Sequence, residues 1–479
     1  MTRLNSWAQA CAILLLSIVA AVSTNAQTFT TLVDFDGVNG DYPDSMTLIQ
    51  GTNGNLYGST ALGGANLEGN VFEMSRAGNV KTLYSFCAQS NCADGQAPYG
   101  ALIQATDGNF YGTTDAGGDL ICPFYTTCGT AYKMTPTGEL TTLYSFCVEQ
   151  ECIDGQLPRA GLVQATNGNL YGTTLQGGEP YCNGYGCGTI FEISPQGTFT
   201  SLHSLNYLYD GADPTSELVQ GSDGNLYGTT YTGGQGNGDG TIFKMSLTGS
   251  VTLLHAFDYV DGTEIYSDLF EGSDGNFYGT AVFGGAHDLG TVFSISPTGT
   301  FATLHSFSGT DGAQPYRGVI QATDGNFYGM TSAGGAYQDG TIFEITPGGI
   351  LTTLHSFDGA DGAFPNGGLI QATDGNLYGA TTAMTNGACC GTIFKLSVGL
   401  GPFVAFVRAA GKVGQTGRIL GQGFIGTTSV SLNGIPANFT IVSDTLIRAT
   451  VPAGATTGYV TVTTPSGTLT SNVPFHVIK

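Results

Sequence analysis

One phrase, Gly-Asn-(Leu/Phe)-Tyr-Gly, is written seven times along this 479-residue chain, with its Asn at Asn55, Asn109, Asn169, Asn225, Asn276, Asn326 and Asn376. Steps of 54, 60, 56, 51, 50 and 50 residues separate the copies. Self-similarity at this period restricts the chain to a propeller, a solenoid or an array. A unit of that size cannot bury its apolar faces alone and must stack on its neighbours. Repetition also constrains the functional reading. A residue present in every copy is first explained by folding, whereas catalysis needs a constellation that breaks the repeat.

The sixth copy shows what one unit builds. Phe301 to Phe307 is a short alternating run, followed by a loop with Asp311-Gly312 and Pro315. Gly318 to Thr323 then leads through Asp324-Gly325 into Asn326-Phe327-Tyr328-Gly329. Asp-Gly between two apolar runs predicts a two-residue type I′ hairpin, which needs positive φ at both central positions. After the Gly334-Gly335 loop, Gly340 to Ile345 is a further strand, and Pro347-Gly348-Gly349 turns into the next Leu-His-Ser-Phe strand. Four short antiparallel strands with no helical period make a sheet with two apolar faces, and radial packing buries both. The phase supports closure. The chain after residue 26 opens with a fourth-strand sequence, Phe29 to Phe35, and the last copy stops after its third strand, Gly391 to Leu396. The N-terminal strand is therefore expected to complete the seventh blade.

From about Pro402 the repeat ends. Short alternating segments, Val430 to Gly434, Phe439 to Val442, Leu446 to Pro452 and Tyr459 to Thr463, are separated by Gly, Pro and Asn turns. The expected fold is all-β: a seven-bladed β-propeller over 27–398, then an immunoglobulin-like β-sandwich over 399–479.

Both parts resemble known families. The Asp/Asn-Gly-Asn-(Leu/Phe)-Tyr-Gly hairpin, the Gly-Gly loop and the Gly-Thr-(Ile/Val)-Phe strand together resemble the GloVer tandem repeat of secreted and surface bacterial proteins, over roughly 28–398. The first copy departs with Asn39-Gly40 where most have Asp-Gly, and the last lacks the Gly-Gly loop. The tail is similar to an IPT/TIG domain through Gly421-Gln422-Gly423-Phe424, Val430 to Gly434, Ser443 to Ile447 and Ala449 to Pro452. Neither resemblance implies a reaction or a cofactor.

Residues 1–26 read as a secretory signal: Arg3, an apolar stretch from Ala10 to Val22, then Thr24-Asn25-Ala26 at the cleavage positions. That stretch is shorter than the ~20 residues a spanning helix needs, and no later segment reaches that length. Without Cys11, ten cysteines remain in local pairs: Cys87/Cys92, Cys122/Cys128, Cys147/Cys152, Cys182/Cys187 and the adjacent Cys389/Cys390. An even count in an exported chain favours disulfides over metal ligands, and no metal is expected. Adjacent cysteines close a strained ring, so whether Cys389 and Cys390 bond to each other stays open. A net charge of −23 with only 13 Lys plus Arg repels phosphate backbones and anionic headgroups, which excludes nucleic acid as a partner.

Several recurring polar residues have simple readings. His203, His255, His305 and His355 follow Leu in the fourth strand, where other copies place Tyr84, Tyr144 and Val33. They lie on separate blades, too far apart to share an ion, and read as packing positions. Asp107, Asp223, Asp274, Asp324 and Asp374 serve the hairpin turn. Asp94, Asp154, Asp210, Asp261, Asp311 and Asp361, each before a Gly, also read as turn residues. The alternative is a ring of carboxylates that attracts Ca²⁺ or a cationic partner, but for calcium one Asp per blade does not supply the ~6–8 converging oxygens. No hydrolase elbow, zinc-protease pair, phosphate loop or EF-hand loop is present.

The two loops joining the second strand to the third, and the fourth to the next blade, should open on one face. All five cysteine pairs fall in them. The extra residues of the second and third copies include Phe124, Tyr125, Tyr181 and Tyr185, aromatics suited to stacking on a sugar ring or gripping a protein. The expectation is an exported or cell-surface binding module, monomeric and non-catalytic, that takes an extracellular glycan or protein on this face. The alternatives are a polysaccharide hydrolase or lyase and a purely structural envelope protein.

Overall fold

The computed structural model describes residues 27–43, 46–119, 128–179, 182, 185–235, 238–383 and 390–478; the proposed signal segment lies outside them. Among the described residues the chain is all-β, and the two helical segments there, Ser90–Cys92 and Gln150–Cys152, are single 3-10 turns. Seven four-stranded antiparallel sheets form propeller-like repeats. In the sixth, Ile320–Gln321, Phe327–Thr331, Thr341–Ile345 and Leu351–Ser356 lie side by side in chain order. The second strand is buried along its whole length in every repeat. It carries the Tyr of the motif, and that ring packs on the equivalent Leu or Phe of the next repeat: Tyr227 meets Phe277 at 4.0 Å and Tyr278 meets Phe327 at 3.9 Å. Burying one such side chain contributes about 1.5–3 kcal/mol, so stacking of the repeats supplies the core.

The motif itself is explained by this burial. A buried tyrosine needs a partner for its hydroxyl, and the turn aspartate accepts it: Tyr111 on Asp107 (2.8 Å), Tyr227 on Asp223 (2.8 Å) and Tyr328 on Asp324 (2.9 Å). The same carboxylate accepts the main-chain N–H two residues on, as from Asn109 to Asp107 (3.0 Å). The hairpin is not the expected two-residue type I′ loop. Gly54 N–H donates to Gly51 O (2.9 Å), and only the glycine has positive φ, +86° at Gly54, while the preceding Asn53 does not. A longer turn ending on a left-handed glycine leaves the Asp side chain free to bond forward, which a type I′ aspartate would not do.

A second device is absent from any motif. The Gln ending each first strand accepts the N–H of a turn residue in the preceding repeat: Gln104 from Thr52 (2.8 Å), Gln164 from Thr106 (2.9 Å), Gln220 from Thr166 (2.9 Å), Gln321 from Ser273 (2.8 Å) and Gln371 from Thr323 (3.1 Å). Glu271 replaces it once, accepting from Ser222 (2.9 Å). Gln50 of the first repeat accepts from Thr373 of the last (2.9 Å), so the circuit returns to its start. The N-terminal strand Thr28–Asp34 pairs antiparallel with Thr392–Ser397 in the last sheet, as the phase of the sequence requires. One cluster of buried side chains accordingly joins Met46, Leu56 and Phe72 of the first repeat to Tyr378 and Ile393 of the seventh.

The C-terminal unit is an Ig-like pair of sheets. Ala405–Phe406, Thr416–Leu420, Leu446–Thr450 and Phe439–Ser443 face Ile435–Pro436, Ser429–Leu432, Val460–Thr464 and Gly467–Thr470 over Ile419, Phe424, Ile447, Val462 and Phe475. It rests on the hairpin-turn side of the repeats. Thr445 Oγ1 donates to Thr52 O (3.0 Å) and Phe403 N–H to Thr373 O (3.1 Å). Arg76 ties three parts together, donating to Gln422 Oε1 (2.7 Å), Thr373 Oγ1 (3.0 Å) and Gly54 O (3.3 Å).

Candidate functional site

On the opposite side, the two loops of each repeat are bridged to one another, as Gln96 to Ala116, Gln156 to Gln176 and Ala313 to Ala333. These bridges fix both loops on one face. Just past each bridge comes a recurring Pro, replaced by Ile265 in the fifth copy, and the residue after it varies among the copies: Tyr99, Arg159, Thr215, Tyr266, Tyr316 and Asn366. All six line one cavity of about 330 Å³, joined by Tyr42 from the first repeat and by Arg317. The repeat delivers the same register position to one place, and there the copies diverge.

The cavity is aromatic and largely charge-balanced. Tyr266 lies 4.8 Å from Tyr231 and 5.5 Å from Tyr316, ring centre to ring centre. The Arg159 guanidinium sits 5.7 Å over the Tyr99 ring and pairs with Asp115 (3.0 Å). Burial works against the charge of Arg159, but Asp115 outweighs it and holds the guanidinium above its usual range. Arg317 pairs with Asp268 (3.2 Å). Thr215 Oγ1 and Asn366 Oδ1, on two of the lining residues, are themselves buried with no hydrogen-bond partner, and such atoms are costly unless something satisfies them.

Next to the cavity stands Glu217. Its Oε1 accepts the Ala101 N–H from two repeats away (3.1 Å), and its own N–H donates to Asp268 (2.7 Å). A side chain at Gly161 would collide with Glu217 Oε1, so that glycine makes the room. Burial, reinforced by the Asp268 charge and only partly offset by Arg317 and the Ala101 N–H, pushes the Glu217 carboxyl up to about 8. It is therefore protonated at neutral pH.

The recurring histidines have partners that neither series alone reveals. His203, His255, His305 and His355 meet Asp210 (2.8 Å), Asp261 (2.9 Å), Asp311 (2.9 Å) and Asp361 (2.7 Å) in the following loop. Where the strand carries Tyr, its hydroxyl takes the same place: Tyr84 on Asp94 and Tyr144 on Asp154, both 2.7 Å. The first copy lacks both halves at once, with Val33 and Asn39. The carboxylates also collect loop N–H groups, as Asp94 does from Ala88 (2.9 Å) and Gln89 (3.0 Å). These pairs organise the loops. Among the described residues no group of three or more His, Cys, Asp or Glu is arranged to hold a metal.

Disulfides join Cys87 to Cys92, Cys147 to Cys152 and Cys182 to Cys187. Cys128 and Cys390 are disulfide-bonded as well, while Cys122 and Cys389 lie outside the described residues. So do Phe124, Tyr125 and Tyr181. Tyr185 is exposed in its loop and is not one of the residues lining the cavity. Sequence reasoning passed over the cavity residues themselves. Their signal was a variable position inside a constant frame.

With this geometry in place, the chain belongs to a known class: it is a member of the Gloeobacter/Verrucomicrobia repeat family, whose model matches 18–184, 125–322 and 298–430. The tail at 404–477 is an IPT/TIG domain. No relative among curated proteins matches the chain. Among solved structures it is similar to a fungal alcohol oxidase of the AA5 family in complex with copper, at 13% identity and a TM-score of 0.49, covering 95% of this chain and 100% of that one. It is also similar to a Xanthomonas campestris gluconolactonase (11% identity, TM-score 0.37, 78% and 90% covered). A third is a PQQ-bound aldose sugar dehydrogenase from Streptomyces coelicolor (13%, 0.39, 78% and 98%). Likeness at this distance carries no argument about activity.

Proposed function

We propose that the seven sheets close as a seven-bladed β-propeller and that the protein is an exported, monomeric, non-catalytic binding module holding a carbohydrate in its axial mouth. The observation that carries this is the convergence of the repeat-breaking residues Tyr99, Arg159, Thr215, Tyr266, Tyr316 and Asn366 on one cavity. Tyrosine faces suit the C–H faces of a sugar ring, and the polar residues Arg159, Arg317, Thr215 and Asn366 in the same lining suit its hydroxyls. About 330 Å³ is at the small end for ligand sites, the size of one or two sugar residues. Closure is supported by the Gln circuit and by the pairing of Thr28–Asp34 with the last sheet. Export is supported by the disulfides, and no helix among the described residues is long and apolar enough to cross a membrane. Exposed Tyr185, Tyr207, Tyr209, Tyr259 and Tyr337 extend the aromatic face for a longer polymer, and Phe124, Tyr125 and Tyr181 belong to the same proposal.

The test is a glycan array on the protein from residue 27 onward, followed by calorimetry on the best hit. Replacing Tyr266 and Tyr316 together with Ala should weaken binding at least tenfold, about 1.4 kcal/mol, in a protein with unchanged circular dichroism. Equal affinity in the folded double variant refutes the site. A second reading, a glycan hydrolase or lyase, is favoured by one observation: Glu217 stands beside the cavity, where burial and the Asp268 charge push its carboxyl up to about 8, toward the protonation state a general acid needs. Under that reading Glu217→Gln abolishes turnover of the bound glycan; under the binding reading there is no turnover to abolish.

A further inference from the structure

This acidic chain handles its few arginines in two ways. Arg76, Arg159 and Arg317 each pair with an aspartate, at 3.7, 3.0 and 3.2 Å. Arg408, Arg418 and Arg448 do not: among the described residues none of them is in an ion pair with a carboxylate. Yet these three line a single cavity of about 370 Å³ at the seam between the Ig-like unit and the turn of the second repeat. Arg418 and Arg448 are directly opposed partners on neighbouring strands, an arrangement in which like charges destabilise a sheet. Arg408 enters from another segment, its Nε donating to Ala410 O (3.0 Å) and its Nη1 to Thr166 O (3.5 Å). The Arg418 head abuts Gly108 of the repeat turn. The nearby carboxylate, Asp107, is already engaged by Lys133 (3.3 Å), Tyr111 (2.8 Å) and Asn109 (2.7 Å). Burial first, then the Arg448 charge, lowers the Arg418 guanidinium from its usual range, with Asp107 opposing; burial lowers Arg408 likewise.

Three unpaired guanidiniums around one space, in a chain of net charge −23, are held together against their own repulsion. We infer that the seam cavity binds an oxyanion, a carboxylate, sulfate or phosphate group, between Arg408, Arg418 and Arg448. Guanidinium forks match the planar pairs of oxygens such groups present. Thr106 of the repeat and Thr416 of the Ig-like unit line the same cavity and supply hydroxyls from the two sides of the seam. The anion thus contacts both units, and its binding stabilises their junction. This site is independent of the tyrosine-lined mouth, which lies on the other face.

The test uses the whole chain from residue 27 and three probes: inorganic sulfate, inorganic phosphate and glucuronate, each against sodium chloride of equal ionic strength to remove general screening. A saturable rise in melting temperature with at least one probe is expected, following ligand linkage. Arg448→Gln and Arg408→Gln should each weaken that binding at least tenfold, and Arg418→Lys, which keeps the charge but loses the fork, should weaken it severalfold. In anion-free, low-salt buffer Arg448→Gln should raise the melting temperature, because it removes the opposed charge; a purely structural arginine would lower it. Glucuronate binding tighter than the inorganic ions assigns the group to an acidic glycan, and the reverse order to a sulfate or phosphate. A response no greater than that to chloride, or one equal in wild type and variants, overturns the site.

Discussion

Glu217→Gln should change how stability depends on pH, and the sign follows from the site. The folded protein holds this carboxyl protonated up to about pH 8, whereas an unfolded glutamate ionises near 4.3. Below about pH 4 both states carry the proton and the side chain contributes its full stability. As pH rises, the unfolded state gives up the proton first, and the contribution is lost progressively until the folded pKa is passed. One proton's difference is about 1.4 kcal/mol per pH unit, so the window holds at most about 5 kcal/mol. Part of Glu217 remains open to solvent, and screening there reduces the expected loss to about 2–3 kcal/mol. Glutamine is isosteric, keeps the acceptor for the Ala101 N–H and never ionises. Urea unfolding of wild type and variant at pH 4, 7 and 9 should therefore give curves that nearly match at pH 4 and separate at pH 9, with the variant the more stable. Parallel pH profiles would refute the buried, protonated carboxyl. So would a variant that is less stable at every pH.

Two other outcomes follow from the fold. Removing residues 27–34 exposes the edge of Thr392–Ser397 and strips Phe29 from its stacks on His355 (4.0 Å) and Phe394 (5.2 Å). The truncated chain should lose more than about 3 kcal/mol or fail to fold, Phe29→Ala alone should cost about 2–4 kcal/mol, and a melting temperature unchanged in both would remove the case for closure. Asp361 is held below the usual carboxylate range, burial opposing but His355 and the loop N–H groups prevailing; its contribution is present above about pH 4 and lost as pH falls through the lowered pKa. Asp361→Asn should therefore be less stable than wild type at pH 7 and converge with it as the pH falls below the lowered pKa, and a gap of constant size in acid titrations followed by circular dichroism would contradict the pairing.

Much of the fold was legible because repetition multiplies weak signals. One Leu-Tyr-Gly run fits many strands; seven of them at a fixed phase define the second strand, and the offset between Phe29 and Ile393 fixes which strand completes the last sheet. The turn was misjudged for a local reason. Asp-Gly suits a type I′ loop, but the buried Tyr four residues on needs the Asp carboxylate, and that demand selects the longer turn. The Gln circuit left no local trace, since each partner lies about one repeat away, as with Thr52 and Gln104. The His–Asp and Tyr–Asp pairs did leave one. Val33 and Asn39 depart together, and two series that change in step are two halves of one contact. The seat of the Ig-like unit rests on single contacts such as Arg76 to Gln422 and Thr445 to Thr52, which no pattern announces.

The same repetition explains where the candidate site is. In the proposed propeller, radially arranged copies bring any register position near their centre into one small volume, so a position that varies there becomes a composite of different side chains at no cost to the frame. The residue after the recurring Pro is such a position, and its six described versions are three tyrosines, an arginine, a threonine and an asparagine. Loop length drew attention to Tyr185 and its neighbours, at the periphery; substitution at constant length marked the centre. Glu217 makes the same point more sharply. Its carboxyl reaches across to Ala101 and fills the space above Gly161, so the small residues in the second and third copies and the acidic one in the fourth are a single feature spread over three repeats. Each copy read alone gives a bland answer there, and only the contacts between repeats put a protonated acid beside an aromatic cavity.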